Sequence, residues 1–292
     1  MITLDCDRMS HPQDFVFVIG AMKSGTTTLF QLLSQHPSIA PCRTKEPEFF
    51  SSDSSDAAWQ EYLGLWDWDN ETHRYALEAS SGYTKAPWIE GVPERISSAP
   101  LRVARYIYVV RHPLDRMDSQ VRHSLFEGWG HSLDDGMQQD AIDFSRYAFQ
   151  LDRYSEAFKR GDLMIVLLDR LKAEPSTVML EICDFLDIDS GFHFSALGDH
   201  ANTGEMFAAH PWLALLIKSK FGRLISRALP PRSREKVRQA VGAIGRSSSS
   251  ELRWRMNATE RVEVGARLAG DLRRLRDVYG VDTEPVWPDM WV

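Results

Sequence analysis

The sequence predicts an α/β protein built on one P-loop-like parallel sheet flanked by helices. Short apolar runs rich in β-branched and aromatic residues recur along the chain. Helix-period segments separate them, and a turn rich in glycine and threonine joins the first run to the first helix. Runs that are apolar on both faces mark strands covered on both sides, the habit of parallel sheets. Strand–helix alternation supplies the crossovers that such a sheet needs. A chain of 292 residues fits one large domain or two small ones. No linker is evident before about residue 205, so one domain over 1–292 is expected, with an α/β core over 14–205 and a helical, basic part over 206–292.

Residues 15–19 (FVFVI) form the first predicted strand, stopped by Gly20. Residues 106–110 (YIYVV) form a second, ending at Arg111; 163–168 (LMIVLL) form a third and 74–79 a weaker fourth. A helix is predicted over 26–35, with Leu29, Phe30 and Leu33 on one face and a stop at His36-Pro37. Another spans 176–186, with Val178, Met179, Ile182, Phe185 and Leu186 on one face and Ser176 as N-cap. Segments 147–158 and 261–279 also read as helices, and Ser247–Ser250 as a flexible joint. The stretch 211–230 is rich in Leu and Ile, with Lys218, Lys220, Arg223 and Arg227 on a flank. It reads as a basic amphipathic helix, and packing on the body weighs more than peripheral membrane contact.

Composition narrows the class. The 43% hydrophobic and 26% charged residues are ordinary for a soluble globular chain. Cys6, Cys42 and Cys183 are odd in number and widely spaced, which excludes a disulfide scaffold and a C-x-x-C metal site. No histidine pair has ligand spacing, so no metal is expected. No run approaches 18 apolar residues, and the charged first 14 residues do not resemble a signal peptide. A cytoplasmic enzyme is the default. The net charge of −7 hides an asymmetry, since residues 218–276 hold 16 Lys/Arg against five acids. An acidic body with a basic C-terminal part is not a general nucleic-acid binder. The basic part is either an anion-facing surface or a set of solvated helices.

The strongest local signal is Gly20-Ala-Met-Lys23-Ser24-Gly25-Thr26-Thr27-Thr28, which follows a predicted strand and opens a predicted helix. In that setting, backbone N–H groups and the helix N-terminus cradle an anion. Gly20 and Gly25 permit the turn. Ser24, Thr26, Thr27 and Thr28 add hydroxyl donors, and Lys23 adds a point charge. The G-x-x-x-x-G spacing matches a Walker A loop, but that loop carries its lysine after the second glycine. Here Lys23 lies two residues before Gly25, and no apolar strand ends in an aspartate that could hold magnesium.

These residues resemble a known family. Lys23-Ser-Gly-Thr-Thr-Thr-Leu29 is similar to the 5′-phosphosulfate loop of sulfotransferases that use 3′-phosphoadenosine 5′-phosphosulfate (PAPS). Arg111-His-Pro113-Leu-Asp-Arg116-Met-Asp-Ser119 is similar to the family's R-x-P-x-x-R-x-x-S element for the 3′-phosphate. Lys45-Glu46-Pro47-Glu48-Phe49-Phe50 and Glu78-Ala-Ser-Ser-Gly-Tyr83 resemble the K-E-x-x-F-F and E-x-[ST]-P-x-Y segments of its carbohydrate-directed branch, and 282–287 resembles a C-terminal D-L-x-x-W element. The chain departs from the pattern at Gly82, His112 and Val121, and a K-G-R-like cofactor loop has only Gly245-Arg246 as an echo.

The resemblance implies PAPS as co-substrate, gripped at two anion sites on the C-terminal ends of adjacent strands, where open α/β sheets bind ligands. Lys23 would stabilise the leaving group, an effect of ~2.7–4 kcal/mol for a well-placed donor. Arg111 would fork onto the 3′-phosphate. Ser119 lies eight residues on, about two helical turns, and would reach the same phosphate if Pro113 opens a helix. Arg116 would either join them or pair with a body acid. Glu46 is the implied general base, with His123 its competitor, because an imidazole of pKa about 6.5 suits that work. The acceptor is expected to be a hydroxyl on a glycan, lipid or small metabolite. Tyr147, Tyr154, Trp59, Trp66, Trp68 and Trp88 are candidates to line its cleft, weighed against a core role. The rival readings are a magnesium-dependent phosphoryl transferase on the Gly20–Thr27 loop and a non-enzymatic anion- or membrane-binding module on 211–276.

Overall fold

A computed structural model describes residues 11–127, 135–156, 162–195 and 254–291. The elements over the first part of the chain are β1 (Asp14–Gly20), α1 (Thr26–Leu33), β2 (Ile39–Pro41), α2 (Asp56–Leu63), β3 (Tyr75–Ala79), α3 (Val92–Ser98), β4 (Val103–Val110) and α4 (Pro113–Glu127). They are followed by α5 (Asp135–Asp143), α6 (Tyr147–Asp152), β5 (Leu163–Leu167), α7 (Leu168–Ala173), α8 (Pro175–Leu186) and α9 (Ala258–Tyr279). Single 3-10 turns cover Phe49–Ser51 and Ser81–Thr84. The five strands form one sheet in the order β2-β3-β1-β4-β5, and every pairing is parallel. The fold is the expected single-domain α/β class.

The period of two along β1 divides the core. Phe15, Phe17 and Ile19 face a layer rich in aromatic residues, with Tyr62 of α2, Tyr106 and Tyr108 of β4, Tyr147 of α6 and Leu268 and Leu272 of α9. Val16 and Val18 face an aliphatic layer built from Leu29 and Leu33 of α1 and Ile182 and Leu186 of α8. Each apolar side chain so buried contributes about 1.5–3 kcal/mol.

Boundaries differ where local signals compete. Ser176 is not an N-cap: Glu174 holds that position and Pro175 opens α8, since proline suits a first turn whose N–H has no partner. Leu168 belongs to α7 rather than to β5, and α6 ends at Asp152. β2 escaped the sequence reading because its three residues end in Pro41 at the sheet edge, where proline costs no ladder bond. The stretch 211–230, the Ser247–Ser250 joint and Gly245-Arg246 lie outside the described residues. Among the described residues, no helix is long and apolar enough to cross a membrane.

α9 makes up most of the described portion of the basic part. Val264, Leu268, Leu272 and Leu275 form its buried stripe. Two of its arginines meet acids of the body: Arg261 contacts Asp115 and Asp118, both at 3.1 Å, and Arg274 contacts Asp152 at 2.7 Å. Here charge complementarity docks a helix on the acidic body.

Candidate functional site

The site forms where β1, β3 and β4 end. At the tip of β1, Gly20 has φ +145°, and a Cβ there would lie 2.1 Å from Thr84 Oγ1, whose hydroxyl donates to the Ile19 carbonyl at 2.8 Å. Gly25 has φ +89° and stands as N-cap of α1, with Leu168 Cδ1 2.6 Å from where a Cβ would sit. Neither position admits a side chain, so the loop is wound tightly between neighbours. No side chain caps α1, which leaves its first N–H groups for an anion. Ser24 is fully buried, its Oγ close to the Tyr147 hydroxyl but closing no hydrogen bond of good geometry. Thr26 is buried, and Thr27 and Thr28 are half-buried.

Four non-glycine residues among those described have positive φ, and three of them, Lys23 (65°), Glu46 (57°) and Glu48 (54°), lie in the loops of this site. The fourth, Asp187, only ends α8. Such backbone persists where the surroundings enforce it, and it gathers at functional sites.

Two arginines stitch the first loop to the end of β4. Arg111 Nη1 donates to the Lys23 carbonyl at 3.1 Å, while the Arg111 carbonyl accepts from the Tyr147 hydroxyl at 2.6 Å. Arg116 is 0% exposed and donates to the carbonyls of Met22 (3.3 Å) and Ala141 (2.6 Å) and to Ser145 Oγ (2.8 Å). Of the two roles open to Arg116, the ion pair with a body acid does not form among the described residues. The residue is a brace that ties α4 and α5 to the loop carrying Lys23. Pro113 does open α4, and Ser119 lies half-buried two turns along it.

The opposite side of the site is built by carboxylates. Glu46 N donates to the Ala79 carbonyl at 3.0 Å, and Glu48 N donates to Ser80 Oγ at 3.1 Å, so the turn after β2 rests on the end of β3. The Glu48 carboxylate accepts from Gly82 N at 2.9 Å and from Ser51 Oγ at 2.5 Å. A Cβ on residue 82 would lie 2.0 Å from Glu48 Oε2. Gly82 thus packs against this carboxylate, which occupies the space a side chain would need. Beneath it, Glu78 is 0% exposed and accepts from the Tyr62 hydroxyl and, at 2.7 Å, from Ser80 Oγ. Burial pushes its pKa up to about 7 against these hydrogen bonds.

His123 of α4 joins the two sides. Burial and then the charge of Lys23 push its pKa down to about 4, with Glu46 acting upward and Lys85 downward. The fold thus gathers Lys23, Glu46 and His123 from three separate segments. It also adds Lys85, which the sequence reading missed; its only signal was its place directly after Thr84. His123 is neutral near pH 7, a hydrogen-bond acceptor but a weak base. Among the described residues, no group of His, Cys, Asp and Glu is placed to hold a metal.

A model of the sulfotransferase domain matches residues 13–201. The chain belongs to the sulfotransferase family. It is 26% identical over 201 residues to the bifunctional heparan sulfate N-deacetylase/N-sulfotransferase 4 of Mus musculus, covering 61% of this chain and 23% of that protein. It is 27% identical over 199 residues to the heparan sulfate glucosamine 3-O-sulfotransferase 3A1 of Mus musculus, covering 61% and 48%. The chain therefore spans less than half the length of these two relatives. In three dimensions it resembles a sulfotransferase from Alicyclobacillus acidocaldarius, with a TM-score of 0.64, 20% identity and coverage of 93% and 97%. That likeness bears on the fold.

Most of the aromatic candidates serve the core. Trp66, Tyr147 and Tyr154 are buried, and Trp59 packs on Phe49 and Tyr62. Trp68 is half-buried. Trp88 alone among these six is strongly exposed, at 66%, with its ring edge-on to Phe144. The C-terminal element closes over the end of β4. Trp287 is buried and donates to Asp169 at 3.1 Å, and His112 meets Asp289 at 3.0 Å. The departure at His112 thus has a partner of its own.

Proposed function

We propose that this chain transfers a sulfuryl group from PAPS to a carbohydrate acceptor. One observation carries the reading: the Arg111 guanidinium bonds the carbonyl of Lys23, so two cationic sites stand coupled at the ends of adjacent strands. The surroundings fit a doubly anionic nucleotide. An uncapped helix N-terminus, a buried Ser24 hydroxyl with donor capacity to spare and a forked cation are the donors such a ligand requires.

The donor supplies a sulfuryl group whose bond to phosphate oxygen breaks as a bond to the acceptor forms, with the acceptor's proton lost. Ser24, Gly25, Thr26, Thr27 and Thr28 hold the 5′ end. Arg111 and Ser119 hold the 3′-phosphate. Lys23 places its charge where the leaving oxygen gains charge. Glu46 takes the acceptor's proton, and neutral His123 accepts a hydrogen bond beside it. The names of the two murine relatives favour a polysaccharide containing glucosamine as acceptor class.

Calorimetric titration with adenosine 3′,5′-bisphosphate tests the nucleotide site: tight binding is expected, with AMP much weaker, and equal binding of AMP overturns it. Labelled PAPS with desulfated heparan sulfate tests the acceptor. Label in the polymer is expected, and alkali-stable ester against acid-labile sulfamate separates hydroxyl from amine.

A further inference from the structure

Glu78 is the least explained charged group near the site. It is wholly enclosed, so it touches no substrate. Yet it lies at the foot of a continuous hydrogen-bond chain. Glu48 N–H donates to Ser80 Oγ (3.1 Å), and Ser80 Oγ–H donates to Glu78 Oε1 (2.7 Å). The Tyr62 hydroxyl donates to Glu78 Oε2. Glu46 lies between two anchors on β3 and its extension: its own N–H on the Ala79 carbonyl and the Glu48 N–H on Ser80. It is held there at φ +57°, a conformation that a loose turn would leave.

We propose that Glu78 is a positioning residue for Glu46, acting through the Ser80 hydroxyl to hold the turn of residues 45–48 on the end of β3. The inference rests on Glu46 being the base. Its physical core is the direction of one hydroxyl. An ionised Glu78 can only accept, so it turns the Ser80 proton inward and leaves the Ser80 lone pairs for Glu48 N–H. A protonated Glu78 can donate to Ser80 instead, which frees that hydroxyl to rotate. The titratable groups facing Glu78 are Tyr62 from α2, Tyr83 from the 3-10 turn, Tyr154 from the turn after α6, and Cys42 and Glu48 from the segment after β2. Burial sets its titration near neutrality, about pH 7, so the turn is ordered on the alkaline side. A carboxylate serving only to fill the core would have no such effect on residues 45–48.

The test uses the full chain with E78Q, S80A and E46Q. Hydrogen exchange of the Glu46 and Glu48 amides is followed from pH 5.5 to 8.5, after correction for intrinsic rates. The wild type is expected to gain protection through about pH 7. E78Q and S80A lose that step and exchange several-fold faster at pH 8. With PAPS and desulfated heparan sulfate, both variants lower kcat by roughly tenfold to 10²-fold, the scale of a misplaced catalytic group. KM for PAPS and the affinity for adenosine 3′,5′-bisphosphate stay within about twofold, and the double variant is no worse than either single one. Wild-type exchange and its pH step retained in E78Q overturn the proposal, as does additive loss in the double variant. E46Q separates the two claims. Full turnover in E46Q removes Glu46 as base, whereas loss in E46Q with none in E78Q removes only the role of Glu78. S80A leaves the buried carboxylate in place and keeps the test open if E78Q folds poorly.

Discussion

The two sides of the site are held by opposite charges. Around Lys23, guanidinium groups bind backbone carbonyls: Arg111 takes that of Lys23, and Arg116 those of Met22 and Ala141. Around Glu46, carboxylates bind N–H and O–H groups: Glu48 takes Gly82 and Ser51, and Glu78 takes Ser80 and Tyr62. Under the proposed function the difference has a use. Fixing a loop by its carbonyls leaves its N–H groups for an anion. Fixing a turn by its N–H groups leaves a proton-accepting surface. Each half thereby acquires the polarity its task requires.

Substitutions can break this division. The largest effect is expected from Lys23→Ala, which removes the charge and leaves the frame. Labelled sulfuryl transfer should fall by about 10²–10³-fold, with adenosine 3′,5′-bisphosphate still bound. Retained transfer would show that the cation is not needed there. Arg116→Met comes next. It keeps the volume but strips the donors from Met22 and Ser145, and a buried acceptor left alone costs about 1–3 kcal/mol. A lower denaturation midpoint together with weaker nucleotide binding is expected. Loss of stability alone would separate the brace from the loop. Gly82→Ala attacks the other half. Its methyl would overlap Glu48, a strain of about 1–3 kcal/mol. Transfer should drop while nucleotide affinity, read by calorimetry, holds.

The smallest effects concern pH and sharpen the contrast. Glu78 binds its proton more tightly in the fold, about 7 against 4.5. Its contribution to stability is complete below 4.5 and disappears as pH rises to 7. His123 is shifted the other way, to about 4 from 6.5. Its contribution is complete above 6.5 and disappears as pH falls through 4. The two slopes oppose each other within one window. Thermal melts from pH 4 to 8 should show E78Q gaining stability toward neutrality relative to the wild type. H123N should be relatively favoured toward acid, by less, because this imidazole is only half-buried.

The two halves also differed in how far the sequence disclosed them. Lys23 and Arg111 each follow a continuous apolar run, so the strand end and its charge are read from one local window. The sheet order then sets β1 beside β4. Arg116 was left open between two roles, because the Ala141 carbonyl it meets lies on α5, 25 residues away. The Glu46 turn was harder still. Its partners Ser80 and Gly82 lie 32 and 34 residues from Glu48, and β2, the strand that brings them together, has only three residues. In the sequence alone, Glu46 and Glu48 are two acids flanking Pro47. Only tertiary pairing turns them into two ends of one clamp. The aromatic candidates show the reverse, since their spacing hinted at a cleft and packing claimed most of them for the core.

Under the proposed function, the contact between the guanidinium that closes β4 and the peptide oxygen of Lys23 would make two recognition events one mechanical unit. Whatever seats the side chain of Arg111 also steadies the peptide from which the neighbouring lysine projects. A nucleotide trimmed at its ribose would then be penalised twice, in occupancy and again in the speed of each turnover.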